Sequence, residues 1–431
     1  MSLALAKRVR FARALQSRSF ALLWVGQTVS LMGDGAYFTA LSWAVLLLTH
    51  SGTIMGIVAI AGMAPRILFL LLGGVAADRL PRRLLLLWSD GGRAVLVLLI
   101  AALGMMNLLQ LWHLIVLTIA FGFVDGFFVP ALESIPPQLV EVELLPSANA
   151  LTGLSRQMSV LLGPALGALF ITLGGPKLAF AFDGGSFAFS ALCLIVMRIP
   201  NSATLAKATS GALAETPEAT DRPRGMRGLV ADVREGLHYV LASPWLWVTI
   251  AVASIGNMGW GGSFAVAAPK LVTDFYHTGV WLLGGFATAE GLGSMLGTLT
   301  IGQMRRPRHR GLIAYSALLL SSLGLIALGV PFPHSIDTVI ALGTSAVIGF
   351  GMGIFGVIWV TVMQELVPAD KLGRVSSIDW LGSLCMTPIG YALAGVLTDR
   401  IGPQWVFVGS GLLSTVLVAA ALGVRSIREL Q

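Results

Sequence analysis

The chain has 431 residues, of which 56% are hydrophobic and 11% charged, and its mean hydropathy is +0.84. Soluble domains carry roughly a quarter charged residues, so the composition excludes a water-soluble globular protein and places the chain in a lipid bilayer. The net charge of +7 is spread over short basic clusters between apolar runs, the pattern of membrane topology, and no nucleic-acid partner is expected.

In chain order, a basic leader (1–19) contains Lys7, Arg8, Arg10, Arg13 and Arg18. The apolar run after it is too long for a cleaved signal peptide. A spanning helix needs about 20 mostly apolar residues. Six such runs fall near 20–48, 53–76, 84–105, 112–131, 148–173 and 177–197, and six more near 245–271, 280–302, 311–330, 338–362, 376–397 and 405–424. The expected organisation is therefore an N-terminal six-helix bundle (20–198), a linker (199–243), a C-terminal six-helix bundle (244–424) and a tail (425–431). Within the linker, Asn201 to Arg224 reads as a flexible tether. Leu229, Val233, Leu237 and Val240 recur about one helical turn apart, as on an amphipathic surface helix.

With the N-terminus taken as cytoplasmic, 22 of the 28 lysines and arginines lie in inside segments and 3 outside, while Arg66, Arg93 and Arg156 fall within spans. That asymmetry predicts twelve helices with both termini inside. An internal echo supports two related halves: Gln138-Leu139-Val140 recurs 227 residues later as Glu365-Leu366-Val367, and paired repeats are the usual plan of secondary transporters. Cys193 and Cys385 lie in apolar runs and read as packing residues, with neither a disulfide nor a metal site.

Gly74-Val75-Ala76-Ala77-Asp78-Arg79-Leu80-Pro81-Arg82-Arg83 resembles the signature loop of the major facilitator superfamily, with Pro81 in place of its second glycine. Gly163-Pro164-Ala165-Leu166-Gly167-Ala168 resembles the antiporter motif of its exporters, with Ala168 at the last position. Residues 18–425 as a whole are similar to the drug:proton antiporter branch, which includes macrolide efflux proteins and the enterobactin exporter. The supporting stretches are Leu31-Met32-Gly33-Asp34, Ser89-Asp90 with Arg93, and Gln364 to Pro368 with Gly373-Arg374-Val375. The resemblance implies an all-α polytopic fold of twelve transmembrane helices in two pseudo-symmetric bundles. It also implies a monomer in a bacterial plasma membrane, exchanging a small molecule for protons without a cofactor. In this frame the signature loop, with Asp90 and Arg93, is a gate whose partner helix opens at Ser376 and Ser377. The arginine that many proton-coupled members carry early in span four is absent, and Gly122 holds that place.

An ionisable group at the bilayer centre costs at least about 2.5–3.5 kcal/mol and is a functional candidate by default. The mid-span candidates for proton coupling are Asp34, Asp125, Glu290 and Arg66. Asp34 reads either as a titrating carboxylate or as a permanent ion pair with Arg66. Asp183 and Asp379 read as structural. Phe38, Trp43, Phe127, Met158, Trp260, Phe286 and Trp359 are available to line a substrate cavity. No phosphate loop, His-Glu-x-x-His or Gly-x-Ser-x-Gly occurs, so no enzyme is expected. Efflux of an amphiphilic drug or metabolite leads; a siderophore, a lysophospholipid or a sugar as substrate, or a non-transporting sensor or scaffold, are the alternatives.

Overall fold

The computed structural model describes residues 13–198, 226–304, 308–333 and 335–430. The tether (201–224), most of the basic leader, and the side chains of Gly74, Asp78, Leu229 and Val233 lie outside the described residues. The described residues form helices joined by short turns, without a strand. In the first half run α1 (Arg18–Thr49), α2 (Gly52–Arg79), α3 (Arg82–Met105), α4 (Leu111–Ser134), α5 (Leu145–Gly174) and α6 (Pro176–Val196). After the short α7 (Met226–Ala242) come α8 (Pro244–Phe275), α9 (Val280–Gly302), α10 (Arg310–Leu328), α11 (Asp337–Leu366), α12 (Ala369–Leu384), α13 (Thr387–Ile401) and α14 (Pro403–Leu422). Eleven helical stretches are long and apolar enough to cross a bilayer, with α12 and α13 making one of them. The twelfth position is α9, whose 23 residues span about 34 Å at 1.5 Å each. Its glycines and Glu290 dilute its apolar character.

The chain divides into two units, one within Met1–Leu48 and Ala61–Ala219, the other within Thr49–Ile60 and Thr220–Gln431. Each is closed at one end by an apolar cluster, around Leu86, Phe128 and Ile135 in the first and around Tyr315, Ile358 and Val362 in the second.

The two units repeat the same devices at the 227-residue offset of the sequence echo. His50 and His277 both adopt the left-handed conformation, at φ 51°, in the turns after α1 and α8. Gly175 and Gly402 take φ 79° and 94° immediately before the prolines that open α6 and α14. Gly35 of α1 lies against Gly163 of α5, where a Cβ would come within 2.7 Å of a backbone carbon, and Gly262 meets Gly390 in the same way in the second unit. Gly122 lies against the Gly62 carbonyl, and Gly349 against that of Glu290. Small residues at helix crossings let backbones approach where lipid supplies no hydrophobic drive. The repeated turns and crossings make the halves structural copies.

Candidate functional site

The glycines that pack α1 also position its acid. Gly33, Asp34 and Gly35 form a wedge, with Gly35 against Gly163 of α5 and Gly33 against Asp183 and Ser186 of α6. Gly167 continues the α1–α5 contact at Ala36 and Thr39. The sequence Gly163-Pro164 thus seats α5 directly beside Asp34. Hydrogen bonds from Ser159 Oγ to the Leu31 carbonyl and between Thr28 and Ser155, 2.7 Å apart, stitch the same seam.

At the centre of the first unit is Arg93, whose side chain is fully buried. Its Nη2 donates to Asp90 Oδ1 at 2.5 Å, and its Nη1 lies 3.2 Å from Asp125 Oδ1 and 3.8 Å from Asp34 Oδ1. The guanidinium is held between the rings of Phe128 and Phe187, 3.9 and 4.3 Å from their centroids. Asp90 Oδ2 accepts from Gln27 Nε2 at 2.9 Å and from Ser190 Oγ at 2.7 Å. Asp125 is shared, because Arg66 Nε reaches its other oxygen at 2.9 Å. Asp183 is fully buried beside Gly33, with Oδ2 unpartnered. Four carboxyls therefore face two guanidiniums.

Several expectations change here. Arg66 pairs with Asp125, and the cation nearest Asp34 is Arg93. The Gly62–Gly122 crossing lays α2 on α4 and turns Arg66 toward Asp125. Asp90 and Arg93, expected with the gate loop, belong to this intramembrane cluster. Gly122 cannot host the familiar arginine, since a side chain there would strike α2; the positive charge comes from α2 and α3 instead. Asp183, read as structural, joins the cluster, as do Gln27, Ser190, Phe128 and Phe187. A signal for some of them was present, because Asp183, Ser186 and Ser190 are spaced as one helix face.

In the signature loop, Arg79 is exposed. Arg82 donates to the Ser134 carbonyl at 2.6 Å, and Arg83 to those of Leu194 and Ile195 at 2.7 and 2.8 Å. Both arginines cap the C-terminal carbonyls of neighbouring helices, where cations are favoured.

The aromatic candidates divide. Trp43 and Phe286 are core residues, 9% and 1% exposed. Trp359 stacks on Phe355 and donates its indole N–H to Asp379 at 3.0 Å. Phe38 is exposed, Phe127 packs near Phe69 and Phe123, and Met158 is half-buried. An apolar recess of about 630 Å³ opens between α2 and α4, lined by Ala64, Pro65, Leu68, Phe69, Ile119 and Phe123. In the second unit Glu290 and Trp260 are half-buried. Cys193 is buried, but Cys385 is exposed at the α12–α13 break, contrary to expectation. There the helix is interrupted, and the thiol lies 3.2 Å from the Gly382 carbonyl and 3.5 Å from Ser254 Oγ. Among the described residues no three metal-ligating side chains cluster.

Relatives span nearly the whole chain. The multidrug efflux pump Tap of Mycolicibacterium fortuitum is 28% identical over 408 residues, covering 92% of this chain and 93% of its own. The enterobactin exporter EntS of Shigella boydii serotype 4 is 24% identical, covering 95% and 94%. Macrolide efflux protein A of Streptococcus pyogenes is 22% identical, covering 95% and 97%. Among solved structures, a bacterial homologue of the iron transporter ferroportin in an inward-facing state superposes with a TM-score of 0.66 at 16% identity, covering 94% of this chain and 98% of its own. A POT family transporter gives 0.68 at 12%, covering 94% and 96%. With the Major Facilitator Superfamily model matching residues 23–383, and bacterial efflux proteins among its relatives, this chain belongs to the Major Facilitator Superfamily of multi-pass membrane transporters and is not an enzyme.

Proposed function

We propose that the protein is a proton-coupled exporter of small amphiphilic molecules, working by alternating access, with the carboxyls around Arg93 taking and releasing the proton. One observation carries this reading: inside the spans of one unit, Asp34, Asp90, Asp125 and Asp183 outnumber Arg66 and Arg93. Fully ionised, the cluster would hold two uncompensated negative charges in a medium that penalises each. Protons are the mobile charges that can complete its neutralisation.

Asp34 is the member best suited to exchange. Of the three carboxylates paired with Arg93 it is the farthest, and it is 19% exposed, whereas Asp90 is fully buried and held by three partners. A proton arriving at Asp34 or Asp125 releases part of Arg93's charge to the remaining carboxylates. The cluster therefore has alternative pairings that a substrate-dependent conformational change can select. One charge moved through 100 mV yields about 2.3 kcal/mol, roughly fifty-fold in concentration. The efflux relatives and the apolar recess, within the size range of drug sites, support an amphiphilic cargo. The basic-residue asymmetry supports cytoplasmic termini in a cell membrane, with the monomer as the working unit.

The test is transport by purified protein in liposomes holding a pH-sensitive dye under an imposed proton gradient. Amphiphilic drugs, siderophores and lysophospholipids are added in turn. Substrate-dependent proton flux that disappears in Asp34→Asn, with folding intact, is the expected result. Substrate movement without proton flux would overturn the coupling, and no movement of any compound would leave a sensor or scaffold.

A further inference from the structure

The helix that leads into α8 has two faces, and only one is covered by the second unit. On the inner face of α7, Gly236 lies against α12, where a Cβ would come within 2.8 Å of Ile378 Cδ1 and 3.2 Å of Arg374 Cβ. Val240 is buried with Leu246, Met363, Val367 and Val375. Tyr239 donates its hydroxyl to the Leu366 carbonyl at 3.3 Å, and Lys371 Nζ lies 5.5 Å from its ring centroid. Glu235 completes the docking through Arg374 and Lys371.

The opposite face carries Arg234, Leu237, His238 and Leu241, three and four residues apart and so aligned along one side of the helix. All four are exposed, Leu237 at 45% and Leu241 at 61%. No ion pair among the described residues engages Arg234. The apolar stripe expected from the sequence is therefore divided: Val240 turns inward and Leu237 outward.

What covers the outer face follows from where α7 ends. Ser243 alone separates it from α8, a stretch long and apolar enough to cross a bilayer. Trp247, in the first turn of α8, is 45% exposed, the position of an interfacial tryptophan. The last turns of α7 thus lie at the membrane–water boundary, where Leu237 and Leu241 extend the lipid-facing side of a spanning helix. A helix so placed sinks its apolar side chains to the acyl boundary and turns its basic ones to the headgroups. With Glu235 committed to the cations of α12, Arg234 leaves this face positive and complementary to anionic headgroups.

We infer that the outer face of α7 binds anionic phospholipid, with Leu237 and Leu241 among the acyl chains and Arg234 on the headgroup phosphates. The second unit thereby gains a lipid anchor ahead of its first span, whatever the protein transports.

The experiment places an environment-sensitive fluorophore at Leu241→Cys in the full-length chain, with Cys193→Ala and Cys385→Ser. The labelled protein is reconstituted in vesicles of equal parts phosphatidylcholine and phosphatidylglycerol. Bromine, a contact quencher, is carried on the acyl chains of one lipid or of the other. Quenching by brominated phosphatidylglycerol should exceed that by brominated phosphatidylcholine about fivefold, the factor expected for one basic residue at an anionic surface. Aqueous iodide should quench little. Arg234→Gln should equalise the two lipids while amide protection of α7 is unchanged, because the inner face is intact. Arg425→Gln, at an exposed arginine of the tail, should keep the preference. Strong iodide quenching overturns the inference, since the face then stands in water. Shielding from iodide and bromine alike also overturns it, because protein then covers the face. Equal quenching by the two brominated lipids in the parent protein, or a preference that survives Arg234→Gln, refutes recognition of the headgroup by Arg234.

Discussion

Arg93 is the residue on which the first unit depends. It is buried, stacked between two phenyl rings, and shared among three carboxylates. Removing one member of a buried ion pair leaves an uncompensated charge and costs about 3–5 kcal/mol. Arg93→Met should therefore lower the thermal midpoint of the detergent-solubilised protein sharply, whatever its effect on transport. Asp34→Asn should not, since Asp34 is 3.8 Å from the guanidinium and partly exposed. Equal losses of stability in the two variants would make Asp34 a structural member of the cluster and remove it from coupling.

At the scale of elements, helix crossings are set by glycines. The α9–α11 seam runs through Gly293, Gly297, Gly349 and Gly353, each of which faces a backbone carbonyl of the other helix. A methyl group on Gly349 would lie 1.8 Å from the Glu290 carbonyl, so Gly349→Ala must part the helices. Overpacking of this kind costs about 1–3 kcal/mol, to be read as a lower unfolding midpoint. Gly343→Ala, where the added carbon meets nothing within 4 Å, is the matched control. A second element-level device is the start of α2. Asp399 accepts from the Gly52 and Thr53 amides at 2.7 and 2.8 Å and from Ser51 Oγ at 2.8 Å, with Lys270 Nζ at 3.1 Å. Asp399→Ala should cost about 0.5–2 kcal/mol as a lost helix cap, and hydrogen exchange at those two amides should rise first.

At the scale of the whole molecule, two units share a plan and differ in chemistry. One gathers a crowded charge network within its spans, while in the other Asp379 accepts from an indole and Asp399 caps a helix start. The surface helix α7 belongs to the second unit and is fastened there by charge. Glu235 lies against Arg374 and, at 3.5 Å, Lys371. The Arg374 hydrogen bond, with help from Lys371, holds the exposed Glu235 carboxyl below its usual range. A carboxylate whose pKa is depressed in the docked state contributes above its free pKa and loses that contribution as pH falls through the docked one. Amide protection of α7 should consequently stay constant from neutral pH down to the ordinary carboxylate range, then fall from there as the pH drops through the depressed docked pKa. Glu235→Gln should show the reduced protection at every pH.

Sequence alone determined the membrane class, the number and approximate bounds of the helices and the doubling of the chain. Hydrophobic run length and the 227-residue echo are local or one-dimensional properties. It also singled out Asp34, Asp125, Glu290 and Arg66, because an ionisable residue in an apolar run is conspicuous wherever it points. Only the tertiary structure decided partnership. Whether Arg66 meets Asp34 or Asp125, and whether Arg93 serves a gate or an acid cluster, depends on helix rotation. So does whether Asp183 faces lipid or Gly33. That rotation is fixed by glycine contacts between helices far apart in sequence. Among the described residues no ion pair reaches Glu290, whose backbone carbonyl packs against Gly349.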